Sequence, residues 1–167
     1  MGNFLTSKVR QHARQPPLDD FDRAILKHLQ RDNTTALRVI GEQVNLSTAA
    51  VQRRIKRMEQ SGAISANTAV VNQDAVGKPI TILVEVHAER THIEDLDVLK
   101  VQMSIPEVQQ CYYVTGDADF MLVIVVETMK AYETLARTLF YENRNIKWFR
   151  SIVVMDRVKV SLDVPLG

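Results

Sequence analysis

Apolar residues recur at helical spacing along the first third of the chain. Phe21, Ile25 and Leu29 form one stripe, Leu37, Ile40 and Val44 a second, and Val51, Ile55 and Met58 a third. Three short helices are therefore expected. Asp19 or Asp20 suits the first N-cap, Thr34 or Thr35 the second and Ser47 the third, since short polar side chains satisfy the unpaired N–H groups of a first turn. Asn45 is placed to take a left-handed turn conformation, and Gly62 to cap a helix over Thr48–Ser61. Gly41 sits inside the second helix, at a cost of about 1 kcal/mol relative to alanine. Close approach by a neighbouring helix is the expected reason.

The period then changes to two. In "AISANTAVVN", residues 63–66 and 68–71 are β-like and predict a small wing hairpin, followed by a linker over 72–77. Residues 79–87 alternate, with Ile80, Ile82, Val84 and Val86 on one face and Thr81, Leu83, Glu85 and His87 on the other. A helix is expected over 93–103, then a strand in "VQQCYYVT", a turn at "GDA" and a strand in "DFMLVIVVE" that is apolar on both faces. A second helix over 130–141 should bury Met129, Tyr132, Leu135, Ala136 and Leu139, and "IKWFRSIVVMDRV" supplies the last long strand.

This order, β-α-β-β-α-β, describes a ferredoxin-like sheet with both helices on one face. The other face stays uncovered, and Leu83, Cys111, Tyr113 and part of "SIVVM" are expected to line it. An apolar face of that size points to self-association. The fold class is α+β: a flexible basic arm over 1–17, a winged helix-turn-helix over 18–66, a wing and linker over 67–77, and a ferredoxin-like domain over 78–167.

Charge adds a division. Residues 1–60 carry 11 Lys and Arg against 6 Asp and Glu, while residues 61–167 carry 10 against 14. A polyanion partner is thus expected for the first part alone. Within "NLSTAAVQRRIKRMEQSGAIS" the basic residues oppose the Val51–Ile55–Met58 stripe, and Ala49 and Ala50 keep that face slim. A charge run can be no more than a solvated helix face. Three short helices with a tight turn before the basic one favour a helix-turn-helix that enters double-stranded DNA. The candidate DNA contacts are Arg38, Ser47, Thr48, Ala50, Gln52, Arg53, Arg54, Lys56 and Arg57.

Other chemistry is sparse. A single cysteine, Cys111, forms no internal disulfide and suits the cytoplasm. No apolar run reaches the roughly 20 residues of a membrane span. The histidines at 12, 28, 87 and 92 lack metal-ligand spacing, and neither a phosphate loop nor a catalytic triad is visible. No metal, cofactor or enzymatic activity is expected. A ferredoxin-like enzyme with a basic accessory domain is the rival reading, because many enzymes use that sheet. A low-specificity architectural DNA-binding protein is another.

Four segments in order resemble the Lrp/AsnC family, the feast/famine regulators. "LDDFDRAILKHLQRD" resembles the family's opening helix, and "VNLSTAAVQRRIKRMEQSGAIS" its recognition helix and wing entry. "TGDADFML" resembles the glycine-aspartate turn of its effector domain, and "VKVSLDVPL" its closing strand. The resemblance covers residues 18–166. It implies a transcriptional regulator that dimerises through its second domain, assembles further into octamers or open helices, and binds a small molecule, commonly an amino acid. Carried onto this chain, it points to Thr115, Gly116, Asp117, Ala118 and Asp119, with Ser151 on the last strand as a further effector-binding candidate.

Overall fold

The computed structural model describes residues 17–89 and 93–167, so the expected arm lies outside the described residues except for Pro17. The chain divides into two units. One ends at Ala69 and takes in Ser161–Gly167, and the other is Val70–Val160.

Helix α1, Asp20–Arg31, starts in a reciprocal cap. The Asp22 N–H donates to Asp19 Oδ1 at 2.8 Å, and the Asp19 N–H donates to Asp22 Oδ2 at 3.2 Å. Helix α2, Leu37–Val44, has no side-chain cap, and its N-cap is Ala36. The expected threonine cap is not formed because both threonines fold back on Asp32. The Thr34 hydroxyl donates to Asp32 Oδ1 at 2.6 Å and the Thr35 hydroxyl to the Asp32 carbonyl at 2.8 Å, a local turn that competes with capping. Asn45 ends α2 with φ 55° and ψ 43°. Helix α3, Thr48–Ser61, begins as expected, with the Ala50 N–H donating to Ser47 Oγ at 3.2 Å, and closes at Gly62 with φ 79°.

Ile25, Leu26, Ile40, Val44, Val51 and Met58 form the core of this unit. Phe21, expected on the inner stripe, is 44% exposed. Gly41 is needed, but the approaching group is not another helix. A Cβ there would lie 2.5 Å from the Leu46 carbonyl oxygen, in the turn that leads out of α2. The Leu46 N–H donates to the Gly41 carbonyl at 2.9 Å, which pins that turn back onto the helix.

The expected wing hairpin and closing strand are missing. Residues 63–71 form no ladder: Ala63 and Ile64 pack on the helical core, while Val70 is 98% exposed. Pieces this short, with no sheet to join and no face to bury, offer too little to hold a hairpin. "VKVSLDVPL" is likewise not a strand. Its end docks on α1, where the Gln30 side-chain amide donates to the Val164 carbonyl at 3.1 Å and accepts the Val164 N–H at 2.8 Å. Leu166 packs against the helical core, and Lys27 Nζ donates to the Gly167 carbonyl.

The second unit runs β1 (Ile80–Ala88), α4 (Ile93–Gln102), β2 (Val108–Tyr113), β3 (Phe120–Val126), α5 (Met129–Ala136) and β4 (Ile146–Val153). The sheet is antiparallel with order β2-β3-β1-β4, as the ferredoxin-like pattern requires. Ile82, Val84 and Val86 pair with Ile124, Leu122 and Phe120. That face is sealed by Leu99 and Met103 from the first helical stretch and by Tyr132, Ala136, Leu139 and Phe140 from the second. The expected helix over 130–141 is α-helical only to Ala136, then widens into a π-helical turn, Arg137–Tyr141. Met129, at its first position, is 46% exposed rather than buried.

A bulge between Val108 and Gln110 corrects the expected lining of the open face. One extra residue in a strand reverses every side chain beyond it. Cys111 and Tyr113 therefore pair with Leu122 and Phe120 on the helix-covered face, and Tyr112 joins Met121 on the open one. Leu83, Val123, Trp148 and Ile152 complete the open face through the registers of β1, β3 and β4.

Replacing Gly41 with alanine should raise helix propensity yet destabilise the helical unit by about 1–3 kcal/mol, because the added methyl overpacks against backbone. Denaturant unfolding of the variant checks this. An unchanged or raised midpoint is the contrary result.

Candidate nucleic-acid interface and effector turn

Helix α3 sorts its side chains by burial. Val51 and Met58 are fully buried and Ile55 half-buried, while Gln52, Arg53, Lys56 and Arg57 are exposed. The four basic residues do not share one role. Arg54 Nη1 donates to Asp19 Oδ2 at 2.7 Å and to Asp22 Oδ1 at 2.8 Å, and its guanidinium lies 5.3 Å from the Phe21 ring centre. Arg57 Nη2 reaches Asp22 Oδ2 at 2.5 Å. The Asp22 side chain is completely buried, so it requires these cations.

Arg54, expected among the DNA contacts, is thus bound to α1, and its pKa is raised first by Asp19 and then by Asp22. Asp19 in turn is held below the ordinary carboxylate range, chiefly by the Asp22 backbone N–H and then by Arg54. The signal for this cluster lay in "LDDFD", where the capping pattern hides a second use for the same acids.

Arg53 and Lys56 make no ion pair among the described residues and project from the exposed side with Gln52. Ser47 and Thr48 stand exposed at the helix start, Ser47 also serving as cap, and Ala50 is half-buried beside them. Arg38 is exposed on α2 and pairs with Glu42 one turn on. The arrangement presents a slim helix face with two uncommitted cations, held rigid by the Arg54 and Arg57 pairs behind it.

The other candidate site is divided by the structure. Thr115, Gly116 and Asp117 are exposed at the β2–β3 turn and Ala118 is half-buried. Gly116 has φ +123°, a conformation that side chains rarely adopt, with open space where a Cβ would stand. Asp119 does not belong to that exposed set. It is 4% exposed; its Oδ2 accepts the Ala88 N–H at 2.9 Å and its own N–H donates to the Val86 carbonyl at 2.9 Å. It ties the turn to the end of β1. Ser151 is also elsewhere. It faces the helices, 2.5 Å from the Tyr132 hydroxyl, and pairs with Val84, which pairs with Leu122. That sets Ser151 two strands from β3, roughly 10 Å across the sheet. Among the described residues no cluster of His, Cys, Asp or Glu could hold a metal, and no helix is long and apolar enough to cross a membrane.

Two outcomes follow from the Asp22 cluster. Asp22→Ala should destabilise the helical unit by roughly 3 kcal/mol by stranding its arginines, while Arg53→Ala should stay within about 0.5 kcal/mol of the parent. Denaturant midpoints of both variants decide it. Because Asp19 and Asp32 are held below their ordinary values, their stabilisation is present above the unfolded carboxylate range near ~3.9 and is lost as pH falls through the lower folded values. Asp19→Asn should therefore show a shallower acid loss in a thermal melt series.

Residues 18–59 match the AsnC-type helix-turn-helix domain, and residues 81–164 match the Lrp/AsnC ligand binding domain. An uncharacterized HTH-type transcriptional regulator of Sinorhizobium fredii is 42% identical over 89% of this chain and 89% of its own length. The leucine-responsive regulatory protein of Escherichia coli is 30% identical over 86% of this chain and 88% of its own. The crystal structure of an AsnC family transcriptional regulator from Agrobacterium tumefaciens superposes with a TM-score of 0.83 at 31% identity, covering 89% of this chain and 97% of that one. A Neisseria meningitidis transcriptional regulator, solved as an L-Met complex, shares the fold with a TM-score of 0.82 at 24% identity over 90% of this chain and 98% of its own. With both domains matched in order along the chain, this protein belongs to the Lrp/AsnC family of transcriptional regulators.

Proposed function

We propose that this regulator reads specific DNA sequences through α3 and that a small molecule, an amino acid in class, alters its assembly and its DNA binding. One observation carries the DNA half. Arg54 and Arg57 are engaged by Asp19 and Asp22, while Arg53, Lys56 and Gln52 remain uncommitted on the slim outer face. An arginine or glutamine in the major groove can read a base edge, and a lysine can hold a phosphate. Ser47, Thr48 and Arg38 supply flanking backbone contacts.

The open face of the sheet supports self-association. Trp148 is 46% and Ile152 40% exposed there. His87 stacks on Trp148 with ring centres 3.5 Å apart, and its Nε2 is buried with no hydrogen-bond partner among the described residues. A second copy laid on this face would cover the apolar residues. Two DNA-binding units would then meet two half-sites. A dimer is the minimal assembly, and larger ones, octamers included, would be built from it.

The exposed turn at Thr115, Gly116, Asp117 and Ala118 is the proposed effector contact, with Asp117 as the partner of an ammonium group and Asp119 as its anchor to β1. The L-Met complex of the Neisseria relative supports an amino acid as the class. The protein performs no chemistry in this reading and works in the cytoplasm with the chromosome.

Arg53→Ala should leave folding and assembly intact and lower DNA affinity, with discrimination falling by about 1–3 kcal/mol at one base position. Titration of promoter DNA against random DNA at matched salt measures this. Equal affinity of the parent for both would instead favour a low-specificity architectural protein. Gly116→Val and Asp117→Ala should weaken the response of DNA binding to added amino acids without dissociating the dimer, as read by light scattering.

A further inference from the structure

The chain passes between its two units twice, after Ala69 and again before Ser161, because Ser161–Gly167 returns to the helical unit. That return is held at three points. The Gln30 side-chain amide grips both main-chain groups of Val164, donating to its carbonyl at 3.1 Å and accepting its N–H at 2.8 Å. Leu166, half-buried, packs against the helical core, and Lys27 Nζ donates to the Gly167 carbonyl. The outgoing chain leaves beside the same end of α1, where Asn33 Nδ2 donates to Asn67 Oδ1.

Inside the second unit the outgoing and returning chains are clasped to each other. Arg157 Nη1 donates to Gln73 Oε1 and Nη2 to Asp74 Oδ2, each at 2.6 Å. Gln73 Oε1 also accepts the Thr81 hydroxyl at 3.1 Å. The Lys78 N–H closes that turn on the Gln73 carbonyl at 2.9 Å, and the Gly77 N–H on the Asp74 carbonyl at 3.1 Å. Between the Arg157 clasp and the Gln30 grip the chain packs on little: Val158 is 89%, Val160 67% and Leu162 81% exposed. Fully extended, the stretch from Arg157 to Val164 spans at most roughly 25 Å. It is therefore a short, unsupported tether fastened at both ends.

We infer that residues 158–164 are a strap that turns the joint between the units from a swivel into a hinge, and that Gln30 is the positioning residue that holds it closed. A unit on one tether turns freely about it, whereas two short tethers attached side by side leave a single axis. The consequence for DNA rests on the reading of α3 above. Two copies with hinged helical units accept a narrow range of half-site spacings and swivelling units a broad one, because the joint sets the effective concentration at the second half-site.

Three variants of the full chain open the strap in different ways. Gln30→Ala removes the grip and Leu166→Asp its apolar anchor, while a Gly-Ser-Gly-Ser-Gly-Ser insertion between Val160 and Ser161 keeps the docking and lengthens the strap. Spin labels at Gln60→Cys and Lys130→Cys, in a Cys111→Ser background diluted with unlabelled chain, report the spread of distances between the units. That spread should be about twofold wider in all three variants than in the parent. Hydrogen exchange at the Val164 amide should be fast in the first two and stay protected in the third. The DNA probes are duplexes carrying one or two copies of a half-site selected by the parent from random DNA. Adding half a helical turn between two copies should weaken the parent by about tenfold and the variants by less than about threefold, with affinity for one copy unchanged. A lengthened chain with a spread as narrow as the parent's overturns the inference, because docking would then serve stability alone. So does an unprotected Val164 amide in the parent. If the parent binds no duplex, the reading of α3 fails, and the distance spreads still decide the strap.

Discussion

The carboxylate of Asp22 has no exposed surface, and α3 delivers Arg54 and Arg57 to it. That pairing fixes the azimuth of α3 against α1. With Arg54 turned inward, Val51 and Met58 must fall on the core, and Arg53 and Lys56 must fall outside. The same carboxylate completes the cap of α1 by accepting the Asp19 N–H. One acid thus starts the first helix and orients the third. Its cost is that a stretch with four basic residues presents fewer of them to a ligand than the sequence suggests.

The second unit rests on a different constraint, the pairing of the inward residues of β1 with those of β3. Ile82, Val84, Val86, Phe120, Leu122 and Ile124 are each buried on the helix side. Their neighbours on the other side are only partly covered, and the Glu85–Arg150 pair crosses that face beside the His87–Trp148 stack. Arg150 holds Glu85 below the usual carboxylate range. A face with an apolar surround and a fixed polar centre favours one orientation of a partner over others, because misaligned copies would bury these groups without compensation.

At the β2–β3 turn, rigidity and accessibility are divided between neighbours. Asp119 is locked to β1 by main-chain and side-chain bonds, so the exposed residues before it project from a stationary base. Such an arrangement suits a contact that must report on a ligand or another subunit, since movement of the turn would be transmitted to β1 instead of being lost in a flexible loop.

The sequence alone determined the element order, the three-helix and β-α-β-β-α-β patterns, the caps at Ser47 and Gly62, a first cap at Asp19 or Asp20 and the inward set of β1. Each of these is written in local spacing or in the chemistry of one residue. It also located the basic helix and the glycine-aspartate turn. Tertiary structure decided the rest. Which arginines of α3 are free depends on Asp22, more than thirty residues away. The sides taken by Cys111, Tyr113 and Tyr112 depend on a bulge, and a single extra residue leaves almost no trace in composition. Ser151 and Asp119 stand apart from the exposed turn residues because groups on other elements, the Tyr132 hydroxyl and the Ala88 N–H, engage their oxygens. Thr34, Thr35 and the segment over 63–71 had the right residue types for a cap and a hairpin, yet Asp32 outcompeted the first and the second had no sheet to join. Local pattern fixes what a segment can form; the partners that long-range packing brings to it select which of those forms is kept.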